Sequence, residues 1–505
     1  MLDGATAWIS WCSVALNIFV ASYLLWIHTH WARRGVPHAR PRFLVGNFWD
    51  SVLQRRTRGD IVGDIYRAFD SRPFVGVYKP LMRPAVLLRD PALIQEVLVK
   101  NFRSFQNTET VFPADKDEVF SDNPFMADSE RWKELRLRLS QAFTPARVRL
   151  AFDDMAGSGR KLVELLLAAG DRTSQDADKL AKRYATHAFV QVLFGIEANT
   201  LKPGEDTGPF YGMGHKIVNA DNWLIKLRFT AFFYCPSLLN ILGYEMANPE
   251  TLIFFRKLIL DSVQFRQQEG ITRDDFIQHA AKLILVDGKV DDEALRASTA
   301  RVINAFLETF ETVSSSMAAT FVLLAAHPGV QDKLRAELRG AFPTGRLTAH
   351  DELVGLPYLD CVCKEAMRVF PTADPIKRTC TKSTVLQAST GEAVSVRQGD
   401  TIYVSVEAVQ HDPAYYSHAD EFYPDHFSEE EIARRPKCTY LVFGEGPRMC
   451  PGNRFGMLLI KVALASVLLH VEVVPGPELA LPATRDPASP LLSIKGGPWL
   501  RFRPT

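Results

Sequence analysis

The 505-residue chain has no excess of either charge: 59 Lys and Arg stand against 58 Asp and Glu, a formal net charge of +1. No global field steers it to nucleic acid, so any electrostatic docking has to come from local clusters. A disulfide framework is lacking too. Seven cysteines, Cys12, Cys235, Cys361, Cys363, Cys380, Cys438 and Cys450, are an odd number at scattered spacing, which suits a reducing, cytosol-facing compartment. Cys361 and Cys363 are one residue too close for a Cys-x-x-Cys redox pair and read as helix packing. No second cysteine or histidine stands at zinc-like spacing from Cys450, which argues against a tetrahedral zinc centre.

Charge is missing altogether between Gly4 and Ile27. Trp8, Trp11, Leu16, Ile18, Phe19, Leu24, Leu25 and Trp26 make that stretch apolar and long enough to span a bilayer as a helix. Trp26 and Trp31 suit the membrane interface. Arg33, Arg34, Arg40 and Arg42 follow, which by the positive-inside rule keeps the remainder cytosolic. A cleaved signal peptide is the competing reading, but its basic leading region and small-residue cleavage site are lacking. The expected division is an anchor over residues 1–32, a stiff proline-rich connector over 33–47 and one large body over 48–505.

What the chain does have is one unusual loop. Residues 441–456 read Leu-Val-Phe-Gly-Glu-Gly-Pro-Arg-Met-Cys-Pro-Gly-Asn-Arg-Phe-Gly, followed at once by a helical apolar pattern. Gly444 and Gly446 permit a tight turn with positive φ, Pro447 and Pro451 stiffen it, and Pro451 suits the first turn of the helix. Gly452 lets something flat approach the backbone. At a helix start, the Cys450 thiolate is favoured by N–H groups and the helix dipole. A buried structural cysteine is the ordinary reading of such a residue. A lone thiolate in a rigid loop also suits a metal whose other ligands come from elsewhere, as in haem held by Cys.

Other stretches carry weaker signals. Trp132 and Arg136, at i and i+4, share one face of a helix starting near Asp128. The longest helical pattern runs from about Asp292 to Ala326 and holds Glu308, Thr309, Glu311 and Thr312 in its apolar middle, a costly set to bury without a reason. Either the hydroxyls bond back to the preceding turn and the carboxylates find partners, or a distorted segment opens a polar slot beside a reactive centre. Glu365 and Arg368, at i and i+3, could be an ordinary surface pair. Residues 104–125 form a loop of the length that carries function. The aromatic run 227–239 is either core packing or a membrane-dipping flap over a lipophilic entrance. Short strands are expected over 77–89 and 381–404, with a final strand pair in 493–502.

Phe443, Gly446, Arg448, Cys450 and Gly452 together spell Phe-x-x-Gly-x-Arg-x-Cys-x-Gly, and this resembles the haem-binding signature of the cytochrome P-450 family. Arg131 to Arg136 and residues 443–455 place the resemblance nearest the microsomal, arthropod and vertebrate xenobiotic-metabolising branch. It implies a mainly α fold with small β-sheets (α+β), preceded by a single transmembrane helix in the endoplasmic reticulum membrane. It implies haem b with its axial thiolate from Cys450, and propionates held by Trp132, Arg136 and Arg448. Glu311 and Thr312 match the family's acid–alcohol pair and imply a proton relay to oxygen. Glu308 and Thr309 stand where Ala and Gly are usual. In the fatty-acid ω-hydroxylase branch a glutamate at this place esterifies a haem methyl, so a covalent link through Glu308 is a further expectation. Glu365 and Arg368 match the Glu-x-x-Arg that locks the cysteine loop, with His426 where the third partner is normally arginine, a weaker pairing.

The same resemblance implies monooxygenation of a lipophilic small molecule (xenobiotic, plant toxin, steroid, terpenoid or fatty acid) with O2. Electrons would come from NADPH-cytochrome P-450 reductase, with cytochrome b5 as a second donor. Arg131, Lys133, Arg138, Arg434, Arg435, Lys437 and Arg454 either form the docking face or simply keep the surface soluble. Two other functions are weighed: a haem-thiolate isomerase or dehydratase working without O2, and a non-catalytic haem- or lipid-binding membrane protein. The Glu311–Thr312 pair argues against both.

Overall fold

The computed structural model of the chain describes residues 2–109, 117–140, 143–171, 173–204, 207–218, 231–234, 247–286, 289–487, 489 and 493–505. The first element is the helix Leu2–His28, whose window from Trp11 to His28 is apolar and wholly unburied. Trp26 stays exposed, as an interface residue would. Trp31 does not. It has no exposed surface, its Nε1–H donates to the Val77 carbonyl at 3.1 Å, and its ring fills the space beside Gly76, where a Cβ would lie 2.5 Å from it. An indole with a satisfied N–H is worth more in this core than at a boundary, so Trp31 is a core residue rather than a membrane-interface one. The connector after it is tied down as well: Gly76 N–H donates to the Pro37 carbonyl (2.7 Å) and Ala39 N–H to the Gly76 carbonyl (3.0 Å). It lies bonded along a strand instead of acting as a free spacer.

That strand, β1 (Phe74–Tyr78), opens a four-stranded sheet with β2 (Pro84–Leu88), β3 (Ile376–Thr379) and β4 (Thr401–Val404) in the order β1-β2-β4-β3. β2 and β4 run parallel and the other pairs antiparallel. β1 and β4 are buried along their whole length, as the near-continuous apolar runs of strands covered on both faces require. A separate hairpin joins Thr384–Gln387 to Ala393–Val396, as the alternating pattern predicts. The expected strand pair inside 493–502 is absent. Gly496 and Gly497, both at positive φ, turn the chain first, and the strand Trp499–Pro504 pairs instead with Val471–Pro475.

The rest is helical, so the expected fold class holds. The helices Phe152–Ala169, Ala177–Phe194, Ser314–Ala326, Pro357–Val369 and Asn453–Leu468 share the largest apolar cluster. The central helix runs over Asp292–Ala326 and is apolar enough to cross a membrane, but 83% of its window is buried inside the body. At Thr309–Val313 it widens into a π turn. Hydroxyls cause part of this: Thr309 donates to the Ala305 carbonyl, Thr312 to that of Glu308 and Ser314 to that of Phe310, drawing carbonyls away from the regular ladder. The hydroxyls thus bond back to the preceding turn, as one reading expects, and the segment is distorted, as the other does. Of the aromatic run 227–239, only residues 231–234 are described, and the flap reading otherwise lies outside the described residues, as does 110–116 of the long loop.

Candidate active site

Gly444 and Gly446 take φ of 69° and 71°, as the loop needs. A Cβ on Gly446 would lie 2.0 Å from the Leu98 carbonyl oxygen, so this turn is pressed onto the Glu96–Lys100 segment and accepts only glycine. Backbone bonds close the loop: Gly444 N–H to the Leu441 carbonyl (2.8 Å), Met449 N–H to Gly446 (3.0 Å) and Cys450 N–H to Phe443 (2.7 Å). Phe443 packs against the main apolar cluster. The helix begins at Asn453, with Gly452 as its cap, so Pro451 lies in the turn before it and not in its first turn. A Cβ on Gly452 would meet no atom within 4 Å, which leaves that face of the loop open.

At Cys450 burial works against the helix start. Burial pushes its thiol up to about 11 and Glu308 adds to this, outweighing the Gly452 N–H and Arg136. The dipole fades within one turn, and desolvation wins. Glu308, on the central helix, is open to a water-sized sphere although protein surrounds it, as a side chain lining an internal cavity is. Burial pushes its carboxyl up to about 6, against a weak bond from Asn123 Nδ2 at 3.4 Å. Glu308 lies close enough to raise the Cys450 thiol through its field.

Arginines gather around the cysteine loop. Arg136 Nη1 donates to the Met449 carbonyl at 2.6 Å, next to the cysteine. Arg448 Nη2 donates to the Ala127 carbonyl (2.8 Å) and its guanidinium lies 4.8 Å from the buried Trp132 ring. Arg448 Nε is buried with no partner. Sequence reasoning missed Arg378 on β3, also buried and also with an unpartnered Nε. Burial lowers Arg378 to about 10, and burial with Arg378 and Arg136 nearby lowers Arg448 to about 9. Two buried guanidinium groups with idle donors call for an anion. A Lys-Arg pair in a strand hints at this, but only the fold shows which of the two turns to the cysteine.

Glu311 and Thr312 are not side by side. Thr312 braces the π turn through the Glu308 carbonyl at 2.6 Å. The buried Glu311 carboxylate instead meets Lys182 Nζ at 3.4 Å, and Lys182 meets Asp178 at 3.0 Å on the helix Ala177–Phe194. Burial pushes the Glu311 carboxyl up, and Lys182 only partly offsets it. The Glu311–Lys182–Asp178 chain leads from the π turn to a partly exposed carboxylate. Lys182 had no signal in the sequence.

Glu365 and Arg368 are no surface pair. Both are fully buried, joined by two bonds of 2.8 Å, and Arg368 also donates to the carbonyls of Gln410, Ala419 and Glu421. His426 Nδ1 lies 3.1 Å from Glu365 Oε1 and fills the third place. Gln410 carries the lock to the loop: its Nε2 donates to the Arg368 carbonyl and its Oε1 accepts from Leu441 N–H at 2.8 Å.

The basic residues read as a docking face are mostly neutralised. Arg131 pairs with Asp122, Lys133 with Glu130, Arg138 with Glu134 and Arg434 with Glu430 and Glu431, while Arg435 stacks over Tyr416. Among the described residues, Lys437 and Arg454 have no acidic partner.

With this geometry in place, comparison with known proteins is direct. The pattern that defines the family Cytochrome P450 matches residues 39–496. The chain is 30% identical to "Cytochrome P450 6k1" of Blattella germanica, over 97% of this chain and 96% of that protein. It is 30% identical to "Probable cytochrome P450 9f2" of Drosophila melanogaster (93% and 94%) and 29% identical to "Cytochrome P450 6A1" of Musca domestica (92% and 92%).

Proposed function

The chain belongs to the cytochrome P450 family, and on that footing we propose that Cys450 is the thiolate ligand of its haem and that protons enter through Glu311. The family makes it a haem-thiolate monooxygenase. The observation that carries the assignment is the closed Cys450 loop with two neighbouring arginines, Arg448 and Arg378, whose buried Nε donors are idle. A thiolate donor with neighbouring cations fits an iron porphyrin bearing two carboxylates. When bound, the haem activates O2, placing one oxygen atom in an organic substrate and releasing the other as water.

The chain's own residues set the conditions. Coordination to a cation removes the thiol proton that burial alone would keep on Cys450. Arg136, Arg378 and Arg448 would hold the propionates, with the Trp132 ring packed against the Arg448 guanidinium. Phe443, Gly446 and Gly452 shape the loop. Thr312 holds the π turn open, while Glu311 takes up protons from the Lys182 side, its buried carboxyl poised for protonation. Glu365, Arg368 and His426 fix the loop from behind. Glu308 lies within electrostatic reach of Cys450, so the ester link to the haem is open to test: haem that leaves unmodified on acid extraction removes it.

Substrates are lipophilic small molecules of the xenobiotic, plant-toxin, steroid, terpenoid or fatty-acid classes. Electrons come from an NADPH-dependent reductase in the endoplasmic reticulum membrane, with cytochrome b5 as a second donor. Leu2–His28 is the anchor, residues 33–47 the connector and 48–505 the catalytic body. A reduced carbon-monoxide difference spectrum tests the core of this: a Soret band at the thiolate position supports it, and its persistence in Cys450→Ser overturns the ligand assignment.

A further inference from the structure

Side chains alternate across a strand, so on β3 Arg378 faces the Arg448 side of the sheet and Lys377 the opposite side. There Lys377 enters a cluster with too few anions. Among the described residues, Glu109 is the only carboxylate in contact with its cations: Lys79 Nζ lies 2.5 Å from it, Arg83 Nη2 3.5 Å and Lys377 Nζ 3.7 Å. Lys79 and Lys377 are about nine-tenths buried, with side-chain exposures of 6% and 10%.

A fourth cation, Arg58, starts the helix Arg58–Ala68 behind them. Its guanidinium stacks 3.6 Å over the Phe233 ring. Among the described residues it has no hydrogen-bond acceptor and no carboxylate partner, and its side chain is half-buried. Asp374 reaches Arg58 only through its field, and is itself engaged by Ser405 and the Val406 N–H. Burial, with Arg58, Lys79 and Arg83 acting against Glu109, pushes the Lys377 amine down to about 7. Two buried lysines and the half-buried Arg58 thus gather around one carboxylate, with the partly exposed Arg83 at the edge, a costly arrangement unless a further anion joins it. The walls are aromatic: Phe233 and Tyr403 each lie 5.8 Å from Lys377 Nζ. An anion on an apolar body matches this chemistry.

We propose that this site binds the carboxylate of a lipophilic organic acid, with Arg58 and Lys377 as its cations and Phe233 and Tyr403 against its chain. The enzyme then takes lipophilic carboxylic acids as a substrate class. Turnover of such acids rests on the monooxygenase reading above; binding does not.

The test compares dodecanoic acid with its methyl ester on the holoenzyme, by calorimetry and by spectral titration. The acid binds about tenfold or more tighter than the ester, as one charge-assisted contact allows. R58Q and K377M each remove that preference while leaving ester affinity and the carbon-monoxide spectrum unchanged. Equal affinity for acid and ester overturns the proposal, as does an equal loss of both in the two variants. Vesicles of phosphatidylcholine with and without phosphatidylserine distinguish a lipid head group: if R58Q weakens only the serine-lipid-dependent binding and keeps the acid preference, the site is not a substrate site. A missing thiolate band defeats the functional reading alone, since calorimetric preference for the acid still decides this one.

Discussion

Removing the Glu365 carboxylate is the sharpest perturbation the structure offers. Arg368 is fully buried and donates to three backbone carbonyls, so it cannot follow its lost partner into solvent. In Glu365→Ala the guanidinium charge is left uncompensated, and breaking a buried pair from one side costs about 3–5 kcal/mol. Tyr423 N–H and His426 lose their acceptor as well. Against a total stability of about 5–15 kcal/mol, that is a large fraction. The His426→Ala variant removes one bond to a charged group and costs less, about 1.5–3 kcal/mol. Acidification should report on the same residue. Burial works to raise the Glu365 carboxyl, but bonds from Arg368 and His426 outweigh it and hold it below its ordinary value. A group lowered on folding adds stability that is complete above its unfolded pKa and is lost as pH falls through the folded one. Glu365→Gln therefore flattens the acid limb of the stability profile below about pH 4.5. Urea melts across pH, with haem retention read by the carbon-monoxide spectrum, measure all of this. A loss below about 1 kcal/mol in Glu365→Ala would refute the claim that the pair is a lock and make it mere packing.

Lys182→Met removes the ammonium from Glu311 and should raise hydrogen peroxide release per NADPH consumed without altering the carbon-monoxide spectrum; unchanged coupling and an unchanged solvent isotope effect would count against the proton route. Gly446→Ala meets both a positive φ and the Leu98 carbonyl, so it should lose haem while the Leu2–His28 helix is unaffected, as haem content per folded protein would show. Trp31→Ala empties a fully buried indole site and should cost about 3–5 kcal/mol in thermal or urea unfolding, whereas a tryptophan serving only the membrane would leave the melt of a detergent-solubilised sample unchanged. Arg378→Leu should lower haem affinity about tenfold or more by loss of a charge-assisted contact, read as haem transfer to apomyoglobin.

The parts legible in the sequence are those whose chemistry is local. The cysteine loop is sixteen consecutive residues, and its glycines must adopt positive φ wherever the chain goes. The π turn announces itself through hydroxyls and carboxylates crowded into an apolar helix. What stayed hidden depends on distant partners. Trp31 follows an apolar run and a boundary role is the natural reading, because nothing nearby reveals that Gly76 leaves room for an indole. Glu311 and Thr312 are adjacent, yet a π turn sends the acid to Lys182, 129 positions earlier in the chain. The basic residues on the helix Ser129–Ser140 looked like a docking face because each charge was read singly; three of them are answered by Asp122, Glu130 and Glu134 within nine residues.

β3 shows why one strand can serve two sites. Its neighbours Lys377 and Arg378 point to opposite sides of the same sheet layer, and β4 pairs with the strand along its whole length. Arg378 stands beside Arg448, one of the arginines proposed to hold the haem propionates, and Lys377 in the cation cluster, separated by one peptide unit. The distance between a bound acid's head group and the haem edge is therefore set by sheet geometry and not by a loop. A bound acid would be measured from a fixed point, so the oxidised carbon should be counted from the carboxylate. Chain-length homologues of the acid then shift the site of attack along the chain, while their methyl esters, lacking that anchor, give mixed products.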